Sequence, residues 1–316
     1  MLAAYLLMLL IGLALLAYFS NKAVEHAADI AYKLNISSLI VGVLIVSLGT
    51  DLPEISNSII SSYSGHGDIN VGDSLGSSLS QVSLALGLVV ILGGTMKAKR
   101  RNILVLGACT IAAVIAALLV LMDGQLTRMD ALFLILTYIT LLAISARFTV
   151  KEYKHPEDVV PVERKIRLEV AATYLIISLI FVAVGAIIVV DSIINISKEY
   201  ALPEYFVSFF TLGIGTSLPE ISVELAALRK KRYGIVLGDM MGSNITDATF
   251  AMGIGPLLFP TAVSAALILP LALYTIAAIA IIVALFAWRE QITRFDAAIL
   301  IAIYLLSIVF AGSYML

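Results

Sequence analysis

Glu54 and Glu220 each close a Gly-Thr-x-Leu-Pro-Glu string set inside an otherwise apolar run, at positions 49–54 and 215–220. An acidic residue at membrane depth costs roughly 2.5–3.5 kcal/mol to insert on the translocon scale, so a duplicated one points to function. The preceding proline removes a backbone N–H and clashes with the carbonyl one turn back, so each run is interrupted as a helix there. Carbonyls freed near Thr50 and Thr216 would be costly against lipid but useful around a cavity. Carboxylates, hydroxyls and carbonyls are the oxygen ligands that a hard cation such as Ca²⁺ takes, about six to eight at a time.

A second string adds oxygen. Gly72-Asp73-Ser74-Leu75-Gly76-Ser77-Ser78 aligns with Gly238-Asp239-Met240-Met241-Gly242-Ser243-Asn244, and Gln81 then falls opposite Asp247. Ser77 and Gln81, like Ser243 and Asp247, are four apart and share a helix face. Gly72 and Gly76, and Gly238 and Gly242, have the spacing that lets membrane helices approach closely. Asp73 and Asp239 fall near expected helix starts, where an aspartate is either a cap and dipole partner or a ligand. Asp51, whose counterpart is Ser217, is either an additional ligand or a vestibule charge. Glu224, opposite Ser58, is placed to support Glu220 from behind.

The elements that position these groups must be membrane spans. The 316-residue chain is 61% hydrophobic, only 13% charged, and has a mean hydropathy of +1.04. Soluble domains carry about 25% charged residues, and a helical crossing takes about 20 apolar ones. Hydropathy with turn and charge punctuation gives ten spans, near 2–19, 37–62, 71–95, 102–122, 127–147, 169–191, 204–228, 235–260, 266–287 and 296–315. The first run has neither a basic leader nor a small-residue cleavage site, so it reads as a span and not as a signal peptide. The lone Cys109 sits in an apolar run. His26, His66 and His155 fall in polar connections, which leaves a serine hydrolase without a base at membrane depth. No cofactor and no nucleic-acid partner is expected; the partner is the lipid bilayer.

All but two of the 20 basic residues fall in one set of connections, with Arg128 and Lys198 alone on the other side. That bias makes the rich face cytoplasmic and puts both termini outside. The two strings recur at one offset of 166 residues without a gap, and each half holds an odd number of spans. The second half must therefore enter the membrane upside down. The expected fold is an all-α membrane protein of two inverted five-helix repeats, 1–148 and 169–316, joined by a cytoplasmic linker at 149–168. Such repeats place substrate sites near the midplane, at discontinuous helices.

These strings resemble the alpha repeats of the sodium/calcium exchanger (cation/calcium antiporter) superfamily, most closely Gly-Thr-Ser-Leu-Pro-Glu at 215–220 and Gly-Ser-Asn-Ile-x-Asp at 242–247. The resemblance implies a secondary antiporter at the cell membrane that exchanges Ca²⁺ for Na⁺ by alternating access. It implies a central ion site of Glu54 and Glu220 with oxygens of Thr50 and Thr216. Ser77, Ser243 and Asp247 would serve neighbouring Na⁺ or Ca²⁺ positions, flanked by Gln81, Asp51 and Ser217. The family usually has serine at position 51, and asparagine at 73, 81 and 239. The extra carboxylate of Asp51 therefore leaves H⁺ open as counter-ion, the proton-coupled alternative. A passive channel fits less well, because broken helices in inverted repeats favour a transporter. An intramembrane aspartyl protease would need Gly-x-Gly-Asp, and here the string reads Val236-Leu237-Gly238-Asp239.

Overall fold

The computed structural model describes residues 2–33, 50–149, 167–229, 231 and 233–315, which are overwhelmingly helical. A helix satisfies its backbone polar groups within its own segment, as lipid demands. In chain order the helices begin with α1 (Leu2–Lys33), α2 (Leu52–Tyr63), α3 (Gly67–Gly93), α4 (Arg100–Leu121) and α5 (Arg128–Thr149). They continue with α6 (Leu168–Tyr200), α7 (Glu204–Gly215), α8 (Leu218–Arg229), α9 (residues 233–258), α10 (Ala265–Arg289) and α11 (Arg294–Met315). Among the described residues, eight stretches are long and apolar enough to cross a membrane. The expected spans 37–62 and 235–260 are not among the eight. Residues 37–49 lie outside the described residues, and α9 interposes Asp239, Ser243, Asn244 and Asp247 among its apolar ones. Most of the expected linker lies outside them too, with Lys151, Lys154, Arg164 and Lys165, as do Lys230 and Arg232.

The repeat reaches into local detail. A π turn interrupts α3 at Gln81–Ala85 and α9 at Asp247–Ala251; such turns are rare and frequently mark functional sites. Thr127 and Asp130 exchange backbone bonds at the head of α5, the Asp130 carboxylate accepting Thr127 N–H at 2.8 Å. Thr293 and Asp296 repeat the arrangement at the head of α11, also at 2.8 Å. Arg289 adds an ion pair to the buried Asp296 at 2.5 Å, with no equivalent partner described at Asp130. Arg289→Ala leaves that carboxylate buried with its charge uncompensated, so we expect a loss of about 2 kcal/mol, read as a lower melting temperature in detergent.

Two expected boundaries move. α1 and α6 run for 32 and 33 residues, about 48–50 Å against a hydrocarbon core of about 30 Å. Lys22 pairs with Glu25 at 2.9 Å on α1 itself. His26, expected in a polar connection, is buried on α1 with its ring stacked 5.2 Å from Tyr174 of α6. Polar side chains near the end of an over-long helix can reach the headgroups without ending it, so charge alone marks the span too short.

The connections gather at two opposite ends. At one, the strand Met96–Lys97 pairs antiparallel with Gln291–Ile292. At the other, Gln125–Leu126 pairs with Thr261–Ala262. There Asp68 accepts Ser264 N–H at 2.6 Å, and His66 meets Glu204 at 2.7 Å. Each two-residue ladder joins one half of the chain to the other. α1 lies antiparallel on α6, Phe19 stacking on Phe181 and His26 on Tyr174. Leu2 and Met315, the first and last described residues, therefore lie at the end that holds His66 and Arg128. The apolar interior falls into two clusters, one centred on α1 and α6 and the other spread over α3–α5 and α7–α11.

Candidate functional site

The prolines do more than break the spans. Pro53 and Pro219 fall in the first turns of α2 and α8, where a missing N–H has no intrahelical partner to lose. α7 ends at Gly215, and α8 restarts at Leu218 after Thr216 and Ser217. Glu54 and Glu220 thus sit in first turns, where the helix dipole favours a negative charge. Both are fully buried, as are Thr50, Asp51, Thr216 and Ser217.

α3 and α7 bring the halves together. A Cβ at Gly76 would strike the Phe209 carbonyl, and one at Gly213 would strike the backbone of Gly76. Ser208 donates to the Ile69 carbonyl at 2.7 Å, and Ser80 donates to the Gly213 carbonyl. This close crossing carries Ser77 to the broken segment. Its hydroxyl donates to Glu54 Oε1 at 3.3 Å and lies 3.2 Å from Thr216 Oγ1. Thr216 in turn donates to Asp73 Oδ1 at 3.0 Å, and Asn57 Nδ2 donates to Asp73 Oδ2, also at 3.0 Å.

The second group lies across the repeat relation. Gln81 Nε2 donates to Asp247 Oδ2 at 3.1 Å, and Asn244 Nδ2 donates to Gln81 Oε1 at 2.8 Å. Gln81 and Asp247 are 166 residues apart, so the two positions that the sequence offset pairs touch one another. Because a carboxylate only accepts, the Gln81 amide must turn its nitrogen toward Asp247. Gln81 therefore orients Asp247, with its own oxygen already taken up by Asn244.

Other expected residues are placed without direct partners. Both oxygens of Asp51 and of Glu220, Oε2 of Glu54, Oδ1 of Asp247 and the Ser243 hydroxyl are buried without a hydrogen bond. Asp51 lies beside Ser243 and Thr246 of α9, and Asp247 lies within electrostatic reach of Glu54. Ser217 turns away, donating to the Gly213 carbonyl at 3.0 Å and meeting Ser80 at 3.3 Å. Asp73 and Asp239 are not caps. α3 begins at Gly67 and α9 at Tyr233, so each aspartate lies nearly two turns inside its helix, buried. The helices start four and two residues before the expected 71 and 235, which excludes the cap and leaves the ligand alternative open. Asn57, Asn244 and Ser80 are participants that sequence reasoning missed. Asn57 aligns with Val223, so the repeat gave no signal for it; Asn244 stands inside the second string and could have been found there.

Seven carboxylates are therefore buried around the two broken segments: Asp51, Glu54, Asp73, Glu220, Glu224, Asp239 and Asp247. Among the described residues no lysine or arginine is buried with them, and no three of them converge on one point as ligands of a single ion. Unpaired buried charge is costly, and these groups require cations or protons to remain there.

A family profile described as sodium/calcium exchanger protein matches residues 4–147 and 170–312. The chain belongs to the sodium/calcium exchanger family. It is 31% identical to an uncharacterized membrane protein, MJ0091, of Methanocaldococcus jannaschii over 95% of both chains. It is 32% identical to the inner membrane protein YrbG of Escherichia coli over 90% of this chain and 89% of the relative. The sodium/calcium exchanger MaX1 of Methanosarcina acetivorans is 24% identical, over 84% of this chain and 86% of its own. A solved structure of the sodium-calcium exchanger NCX_Mj, soaked with Na⁺ and Sr²⁺, superposes with a TM-score of 0.62 at 27% identity, covering 98% of this chain and 99% of its own. The exchanger family consists of multi-pass membrane antiporters of cations, and this chain is one; the protease and hydrolase readings fall.

Proposed function

We propose that the protein exchanges Ca²⁺ for Na⁺ across the cell membrane by alternating access. Ten crossings form two inverted five-helix repeats, 1–148 and 169–316, linked by 149–168, with both termini outside. The observation that carries this reading is the pair Glu54 and Glu220. They are paired by the repeat offset, fully buried, set in the first turns of α2 and α8, and without a basic partner among the described residues. The alternating ends of the described helices support the count, and the crowding of basic residues at the end holding Lys97 and Arg289 supports the orientation.

Glu54 and Glu220, with Thr50 and Thr216, bind Ca²⁺ at the centre. Ser77, Ser243 and Asp247 serve adjoining Na⁺ or Ca²⁺ positions, while Gln81 and Asp51 shape them and Ser217 backs the broken segment. Either Ca²⁺ or several Na⁺ neutralise the carboxylates. An empty site leaves bare charge in a low dielectric, which blocks reorientation and enforces exchange.

The test is ⁴⁵Ca²⁺ uptake into proteoliposomes loaded with Na⁺, K⁺ or choline, with and without a pH gradient. Uptake that needs outward Na⁺ is the expected result. Uptake driven by the pH gradient without Na⁺ would make H⁺ the counter-ion, the reading that the additional carboxylates Asp51, Asp73 and Asp239 favour.

A further inference from the structure

The two halves treat their second-string aspartates differently. In the first half, Asp73 has protein partners at both oxygens: Asn57 Nδ2 donates to one at 3.0 Å, and Thr216 Oγ1, whose proton is shared with the Leu212 carbonyl, lies 3.0 Å from the other. The next residue, Ser58, is also engaged, taking the Gly255 N–H at 3.1 Å. In the second half, Asn57-Ser58 is replaced by Val223-Glu224. That exchange removes the amide donor and adds a carboxylate. Asp239 Oδ2 is consequently buried without a hydrogen bond, and so are both oxygens of Glu224, which is 0% exposed. Glu224 lies within electrostatic reach of Asp239, and Asp239 in turn within reach of Glu220, across the packed pair α8 and α9.

We propose that Glu224 and Asp239 form a second divalent-cation site, one step from the central carboxylates toward the end that holds Arg229. Two neighbouring carboxylates, with no hydrogen bond to either oxygen of Glu224 or to Asp239 Oδ2 among the described residues, balance the charge of one Ca²⁺. Their bare oxygens are the hard ligands that Ca²⁺ takes, with water completing the shell. Glu224 stands one helical turn beyond Glu220 on α8, so an ion held there is queued for the centre. The first half offers no counterpart, because Asp73 and Ser58 spend their oxygens on protein. The protein is thus asymmetric: it stages Ca²⁺ on the basic-residue side alone.

The inference rests on the exchanger reading only for the choice of Ca²⁺, and equilibrium binding separates the two. The full-length protein in Na⁺-free choline buffer, dialysed against ⁴⁵Ca²⁺, should bind two Ca²⁺. Glu224→Gln and Asp239→Asn should each bind one, Glu220→Gln should bind one, and Glu220→Gln with Glu224→Gln none. Val223→Asn restores the donor that Asp239 lacks and should weaken the outer site about tenfold. Size-exclusion profile and melting temperature in detergent establish that each variant is folded, and the Val223 variant keeps every carboxylate. Wild-type stoichiometry in both Glu224→Gln and Asp239→Asn overturns the second site while leaving the centre intact. A loss in Glu224→Gln with none in Glu220→Gln upholds the second site and removes the central one. A single Ca²⁺ in the wild type that Glu224→Gln leaves unchanged, with one fewer proton taken up, identifies the pair as a proton site and also overturns the proposal.

Discussion

Exchange by Glu220→Gln should fall at least about 100-fold, which is roughly 2.8 kcal/mol of lost stabilisation of the ion-loaded state. The substitution conserves volume and exchanges one charged oxygen for an amide nitrogen that donates. Glu220 makes no hydrogen bond that the change would break, since both of its oxygens are bare. Its loss therefore removes one of the proposed ligands and leaves the packing in place. Affinity for a hard cation is set by the count of charged ligands, and the remaining shell cannot replace one. Glu54→Gln should behave alike, although its Oε1 also accepts from Ser77 at 3.3 Å, so a further positional cost is expected there. The measurement is initial-rate ⁴⁵Ca²⁺ uptake in proteoliposomes, normalised to folded protein. Near-normal exchange in both variants would remove Glu54 and Glu220 from the ion path and with them the proposed mechanism.

Gly76→Ala should be the more damaging change to the molecule itself. A methyl at Gly76 meets the carbonyl of Phe209, and the facing Gly213 meets the backbone of Gly76, so neither partner is a side chain that can swing aside. Overpacking a tight contact costs about 1–3 kcal/mol, and backbone against backbone belongs at the upper end. The consequence is also positional, because this crossing is what brings Ser77 to Thr216, 3.2 Å away. Gly253→Ala is the control: its methyl would lie 3.2 Å from the Ala131 carbonyl and 3.4 Å from the Leu134 Cβ, a contact that small adjustments relieve. We expect thermal stability in detergent and exchange both to drop in Gly76→Ala, with Gly253→Ala close to wild type. Equal melting temperatures for the two would show that the α3–α7 contact is looser than described.

Much of this arrangement is written in the sequence because it is written twice. Glu54 and Glu220, the threonines before them and the two glycine strings share one offset, so duplication separates them from incidental prolines and glycines. The same logic fails where the halves diverge. Asn57 binds Asp73 but aligns with Val223, and nothing in an apolar-to-polar pattern distinguishes such an amide from a tolerated polar residue. The π turns at Gln81 and Asp247 leave no mark in composition, since they alter the winding of a helix without altering its residues. The ladders at 96–97 and 125–126 are two residues long, shorter than any alternation that could announce a strand. α1 and α6 run past their first charged residues because charge marks the edge of the lipid and not the end of a helix.

The interleaving of the halves sets a schedule for biosynthesis. α3 packs chiefly on α7, α4 on α10 and α1 on α6, so helices made early find their principal neighbours only among those made late. Glu54 and Asp73 must therefore enter the bilayer before Thr216 and the rest of the second half exist. During that interval the nascent first half holds carboxylates in lipid with nothing from the second half to enclose them. A chain of this design depends on the insertion machinery, or on its own marginal residence in the membrane, to shelter those groups until the ribosome has finished. The same dependence means that the two halves, supplied as separate polypeptides, should assemble when made together and degrade when made alone.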